Sequence, residues 1–152
     1  MDEPVDIFKL LENVVFLKKY TFFSGLHAED LKTLAFIILE KRYQDNEVVV
    51  REEEPGDSFF LVKQGSLRIE KGGQELARIA ENGCFGEMAL FEEGALRSAT
   101  VVAEGECSLL VIQKEAFFNV LNRAPAISIE MLKLFAERLR DANRKLSERT
   151  LS

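Results

Sequence analysis

FGEMALFEEGALRSATV, residues Phe85 to Val101, packs a tight glycine, a carboxylate, a helix-compatible run and an Arg-Ser-Ala-Thr tract into 17 residues. Gly86 carries no Cβ, so the backbone there can approach a ligand closely. Glu87-Met88-Ala89-Leu90-Phe91 suits one or two helical turns. The first N–H groups of such a turn lack helical acceptors and suit an anion. Arg97 adds a guanidinium fork that matches two phosphate oxygens, and Ser98 adds a hydroxyl donor. A carboxylate beside a phosphate cradle is repelled unless it faces a neutral group, and a sugar hydroxyl answers Glu87. The stretch reads as a site for a ribose carrying one phosphate.

GEMALFEEGALRSATV resembles the phosphate-binding cassette of the cyclic-nucleotide-binding domain family. Catabolite activators, protein kinase A regulatory subunits and cyclic-nucleotide-gated channels belong to that family. The likeness is greatest to the bacterial catabolite-activator branch, which has the same spacing from glutamate to arginine. The resemblance implies that Gly86 and the amides of Glu87, Met88 and Ala89 hold a cyclic phosphate. It implies that Glu87 binds the ribose 2′-hydroxyl and that Arg97 pairs with the phosphate, helped by Ser98. Phe85 and Ala99 flank these positions and complete the implied site. Carried without gaps from Glu87, the likeness places Ala142-Asn143 where that branch has hydroxyl residues touching the base. Asn143 is then either a bidentate partner of adenine N6 and N7 or an exposed helix residue. The resemblance extends over most of the chain. FFSGLHAEDLKTLA is similar to the family's helical entry, and GDSFFLVKQGSLRI to its central hairpin. One departure is Glu53-Glu54 before Pro55-Gly56, where the family commonly has a glycine.

The chain has 152 residues, 47% apolar and 30% charged, which suits one globular domain burying about two-thirds of its unfolded surface. No run approaches the ~20 apolar residues of a membrane span. MDEPVDIF is acidic and lacks the basic start of a signal peptide, so a cytoplasmic location is expected and no membrane contact. Cys84 and Cys107 have neither zinc-site nor CxxC spacing and read as free thiols. A net charge of −6 argues against charge-driven nucleic-acid binding by the domain itself. A single histidine, His27, removes metal-dependent cupin chemistry and any Ser/His/Asp or Cys/His arrangement, and it reads as a surface or cap residue. Two cysteines are too few for an iron–sulfur sensor. No catalytic residue, metal or cofactor is expected, and the chain reads as a non-enzyme.

Outward from the cassette the chain reads as helices, then short strands, then helices. Ile7, Leu10, Leu11, Val14, Val15 and Leu17 mark a helix over Val5–Lys19 with a basic end, broken at Phe22-Phe23-Ser24-Gly25-Leu26. Leu31, Leu34, Ala35, Ile38 and Leu39 mark a second. Strands are expected at Glu47–Val50, Phe59–Val62, Leu67–Glu70, Leu76–Ile79, Ala99–Ala103 and Ser108–Ile112. Turns are expected at Glu54-Pro55-Gly56-Asp57, Gln64-Gly65-Ser66, Gly72-Gly73 and Glu104-Gly105-Glu106. Thr100 is either a further hydroxyl at the site or a β-branched strand residue. Lys114–Asn122 reads as a short helix, and Pro125 precedes a long one. There Leu132, Phe135, Leu139, Ala142 and Leu146 recur at spacings of 3, 4, 3 and 4, a heptad seam that suits either a homodimer or intrachain packing.

The expected fold is α+β, one domain over 1–152: N-terminal helices over 1–40, an antiparallel jelly-roll-like β-roll over 43–113 with its cassette at 85–101, and C-terminal helices over 114–152. The expected function is a sensor of a cyclic nucleotide, cAMP before cGMP, that signals to a partner protein by rearranging its C-terminal helix. Two alternatives stand beside it: the sensor part of a Crp/Fnr-type transcription regulator, and a scaffold that keeps the roll without the nucleotide.

Overall fold

Phe59-Phe60-Leu61-Val62 and Leu109-Leu110-Val111-Ile112 are unbroken apolar runs because alternate residues serve two different cores. Phe59, Leu61, Leu110 and Ile112 pack beneath the helices, whereas Phe60, Val62, Leu109 and Val111 pack inside the roll. Side chains that alternate across a strand allow one sheet to be apolar on both faces. Each such fully buried side chain contributes about 1.5–3 kcal/mol of transfer free energy.

The computed structural model describes residues 6–20 and 23–151. Its elements are α1 (Ile7–Lys18), α2 (Ala28–Ile37), β1 (Leu39–Tyr43), β2 (Val48–Val50), β3 (Ser58–Lys71), β4 (Gln74–Ile79), β5 (Cys84–Phe85), α3 (Met88–Phe91), β6 (Thr100–Gln113), α4 (Lys114–Arg123) and α5 (Pro125–Leu151). The strands form one six-stranded antiparallel sheet in the order β1-β6-β3-β4, with β2 on β6 and β5 on β3. Helices flank it, giving the α+β roll expected of the sequence.

Several boundaries differ from the sequence reading. Ile38 is already extended (φ −76°, ψ 132°), so Leu39 opens a strand that starts the roll four residues before the expected 43, instead of closing the second helix. The expected turns at Gln64-Gly65-Ser66 and Glu104-Gly105-Glu106 are bends inside the 14-residue strands β3 and β6. Their ladder shifts register between Val62, Gln64 and Ser66, and Gly65 sits at φ 96° where a Cβ would meet the Glu106 carbonyl oxygen at 2.6 Å. Glycine lets the strand bulge there without leaving the sheet. The first helix, expected from Val5, is described from Ile7. Val5 and Phe22 lie outside the described residues. His27 is the N-cap residue of α2, as a cap-region reading implied.

An ion cluster ties α1 to the roll. Lys9 and Lys63 both donate to the Glu40 carboxylate, Lys63 also reaches Glu12 at 2.6 Å, and the Ser108 hydroxyl donates to Glu40 at 2.8 Å. The Tyr20 hydroxyl donates to the Val62 carbonyl at 2.7 Å, and burial raises its pKa. The Lys63 and Lys9 ammonium groups hold the Glu40 carboxyl at about 2, down from 4.5. A lowered carboxyl stabilises the fold above its unfolded pKa, and that contribution disappears as pH falls through the folded value. Glu40→Gln is therefore expected to cost about 2 kcal/mol near neutral pH. In urea titrations against pH, the gap between wild type and variant should close as pH falls from 4.5 toward 2.

Candidate functional site

The cavity lies inside the roll, between β2, β3 and the segment 85–101. Its volume is about 270 Å³. Phe85, Gly86, Glu87, Met88, Ala89, Arg97, Ser98 and Ala99 all line it, so eight of the nine expected site residues share one wall. Asn143 does not: it is exposed on α5, as is every described residue from Ala136 to Glu148. Thr100 is also absent from the lining; its Oγ1 accepts the Glu52 N–H at 3.0 Å, which fixes the neighbouring loop. Sequence spacing missed Val50, Ile69, Leu96 and Val101, which supply an apolar end, and Glu92, a second carboxylate at the wall. The contribution of Val50 and Ile69 depends on strand pairing across long separations and leaves no local signal, whereas Glu92, Leu96 and Val101 lie within the cassette itself.

Arg97 is the centre of the wall. Its Nη2 donates to the Ser58 carbonyl at 2.9 Å, and its guanidinium lies 5.6 Å from the Phe60 ring centroid. Phe60 in turn stacks on Phe85 at 4.8 Å. Burial lowers the pKa of Arg97, while the charge of Asp57 opposes that shift; the group still carries its proton. Among the described residues Arg97 forms no ion pair with a carboxylate, and in particular none with Glu87. A half-buried cation satisfied by one carbonyl is costly to keep unless an anion completes it.

Two glycines make room for the guanidinium. A Cβ on Gly56 would fall 2.0 Å from Arg97 Nε, and one on Gly86 would fall 2.7 Å from Nη1. Gly86 also needs its left-handed backbone (φ 84°) to turn from β5 into α3. In that turn the Ala89 and Leu90 N–H groups close onto the Gly86 and Glu87 carbonyls at 3.1 Å each. The Glu87 and Met88 amides precede any helical acceptor and stand at the cavity wall. Leu90 is fully buried beneath them.

The loop before β3 holds Arg97 from behind. Glu53 N–H donates to the Arg97 carbonyl at 2.7 Å and Arg97 N–H to the Glu54 carbonyl at 2.8 Å. Pro55 bridges to Leu96. Glu53 sits at φ 67°, which explains why a glycine suits this position. Relief of that strain exceeds the added chain entropy of glycine, so Glu53→Gly is expected to raise stability by about 0.5–1 kcal/mol. Chemical denaturation should show the gain as a higher midpoint at unchanged slope.

Residues 40–124 match the family model of the cyclic nucleotide-binding domain. The chain is 30% identical over 135 residues to a protein of Thermus thermophilus named cyclic AMP receptor protein, covering 86% of this chain and 62% of that one. It is 32% identical over 136 residues to a cGMP-dependent protein kinase of Eimeria tenella, covering 89% of this chain and 13% of the kinase. The chain thus spans less than two-thirds of the length of these curated relatives. Among solved structures, the N-terminal domain of a transcriptional regulator from Streptomyces coelicolor superposes with TM-score 0.77 at 26% identity, over 86% of this chain and 94% of that one.

Proposed function

The chain belongs to the cyclic nucleotide-binding domain family, and on that premise we propose that the cavity takes a cyclic nucleotide, cAMP in preference to cGMP, as the input of a non-catalytic sensor. The observation that carries the reading is Arg97, a half-buried cation with a carbonyl partner and an open side toward a cavity of about 270 Å³. The cyclic phosphate completes its hydrogen bonding, with the Glu87 and Met88 amides and the Ser98 hydroxyl as further donors. The Glu87 carboxylate accepts from the ribose 2′-hydroxyl. Val50, Ile69, Leu96 and Val101 offer the apolar end to the base. The preference for cAMP is supported by the cassette spacing and by the likeness to the Thermus protein named for cyclic AMP. No metal or cofactor takes part.

The output runs through aromatic contacts. Phe91 at the end of α3 meets Phe117 of α4 edge-on at 6.1 Å and Phe135 of α5 at 5.6 Å. A ligand that pulls on the amides of α3 moves Phe91 and so biases where α4 and α5 rest. It shifts that balance only by its difference in affinity for the two arrangements. In the arrangement that closes, the exposed half of α5 covers the base and brings Asn143 to it. Leu132 and Leu139, exposed at 66% and 64%, are the α5 seam through which two chains pair. The recipient of the signal is another protein or another domain. The likeness to the N-terminal domain of a Streptomyces transcriptional regulator favours, as a second reading, the sensor part of such a regulator.

Calorimetric titration with cAMP and cGMP tests the input. Arg97→Ala should weaken binding roughly 10- to 150-fold, the ~1.5–3 kcal/mol of a charged hydrogen bond, with the fold intact by circular dichroism. Arg97→Lys should recover only part, because an ammonium lacks the planar fork. Glu87→Gln should narrow the preference for the ribonucleotide over its 2′-deoxy analogue. Wild-type affinity in the Arg97→Ala protein refutes the assignment. Leu139→Glu should halve the mass of the assembly seen by ultracentrifugation, because it places unpaired carboxylates across a two-fold seam.

A further inference from the structure

We propose that Glu52 is the positioning residue of the cavity's apolar end. It clamps the three strands whose side chains meet the base, and it does so as a hydrogen-bond acceptor and not as a charge. The inference rests on the cyclic-nucleotide reading of that cavity. Val50, Val101 and Ile69 form one row across the sheet, since Val101 lies opposite Val50 of β2 on one side and Ile69 of β3 on the other. All three line the cavity. The row stands at a weakly paired end of the roll. There β2 has three residues, and its pairing with β6 shifts register between Val48 and Val50. A second irregularity falls between Ile69 and Glu70, where β3 pairs with β4. Ladder hydrogen bonds are disrupted at such shifts, so the row needs another tie.

Glu52 supplies that tie from just beyond Val50. Its N–H donates to Thr100 Oγ1 at 3.0 Å, beside Val101 at the start of β6. Its Oε1 accepts the Gly72 N–H at 3.0 Å. Gly72 and Gly73 are the tight turn between β3 and β4, with φ of 58° and 81°, closed by the Lys71–Gln74 pair. The amide at the first central position of such a turn has no partner across the ladder and must find one elsewhere. One residue thus joins the exit of β2, the start of β6 and the tip of the β3–β4 hairpin that carries Ile69. Among the described residues the Glu52 carboxylate forms no ion pair, so it acts here as an acceptor. Its neighbours act on the other end of the cavity, because Glu53 and Glu54 bond the backbone of Arg97. The segment after β2 therefore divides by role, Glu52 toward the base and Glu53-Glu54 toward the phosphate.

Cyclic AMP and cyclic CMP test this role, because they share ribose and phosphate and differ in the base they lay on the apolar row. In calorimetric titration, with competition for the weaker ligand, wild type should prefer the purine, which buries more apolar surface. Glu52→Ala should narrow that preference roughly 2- to 12-fold, the range of one hydrogen bond, by weakening cyclic AMP while cyclic CMP changes little. Glu52→Gln should keep the wild-type preference, because its amide oxygen still accepts the Gly72 N–H. An unchanged preference in Glu52→Ala overturns the proposal, and so does equal weakening of both nucleotides. A Glu52→Gln protein that behaves like Glu52→Ala also overturns it, since the charge is then the agent. A measurement without ligand separates the clamp from the nucleotide reading. In methyl-labelled protein the NMR resonances of Val50, Ile69 and Val101 should shift in Glu52→Ala and stay in place in Glu52→Gln. Resonances that Glu52→Ala leaves unmoved overturn the clamp, whatever the cavity binds. A wild-type chain that binds neither nucleotide refutes the cyclic-nucleotide reading and the contact with the base, and the methyl shifts then decide the clamp alone.

Discussion

The placement of one guanidinium governs the middle of this chain. Arg97 is drawn inward against Phe60, and the surrounding residues are small or bent where its atoms pass. Gly56 and Gly86 have no room for a Cβ. The loop at Glu53-Glu54 gives two backbone hydrogen bonds to residue 97, and it does so with a non-glycine residue in the left-handed region. These features are expensive if Arg97 were a surface residue, since each could be replaced by an ordinary turn. They are consistent when the side chain must keep its charge at a half-buried wall facing a cavity. The strain at Glu53 and the desolvation of Arg97 both accompany a cation held in place at the cavity wall.

The wall is also where the helices outside the roll become connected to it. α3 has only four residues, with Leu90 buried below and Phe91 reaching outward. Phe91 touches α4 and α5 at once through Phe117 and Phe135. Rings in edge-on contact transmit a displacement because close-packed side chains cannot be compressed. Past Phe135 the described residues of α5 are exposed through Glu148, although Arg138 still reaches back to Cys84. Ile127 and Met131 hold the beginning of α5 in the core.

Local spacing made the cassette legible, because glycine, glutamate, arginine and serine are set within 13 residues and their roles depend on near neighbours. Roles that depend on distant pairing were not legible. Val50 and Ile69 reach the cavity only because β2 and β3 both pair with β6. The start of β1 reads as the end of a helix, since Ile38 and Leu39 continue the 3.6-residue pattern and Leu-Glu-Lys-Arg-Tyr is too polar to announce an edge strand. β5, with two residues, is too short to show any period. Gly65 and Gly105 read as turns because glycine punctuates sequence, although here it bends strands that stay paired. In α1 the pattern showed a helix without showing that half of its apolar residues turn away from the core.

The cavity and the exposed apolar side chains of the helices fall on different elements. The ligand cavity belongs to the roll, while the exposed apolar stripes belong to α1 and to α5, at the two ends of the chain. α1 is fastened to the roll by the Glu40 cluster and by Tyr20 on Val62, so its outer face moves with the sheet. α5 is held in the core by Ile127 and Met131, meets Phe91 of α3 through Phe135, and reaches Cys84 through Arg138. A displacement of α3 would reach α5 directly through Phe91 and Phe135, whereas α1 is tied to the sheet instead.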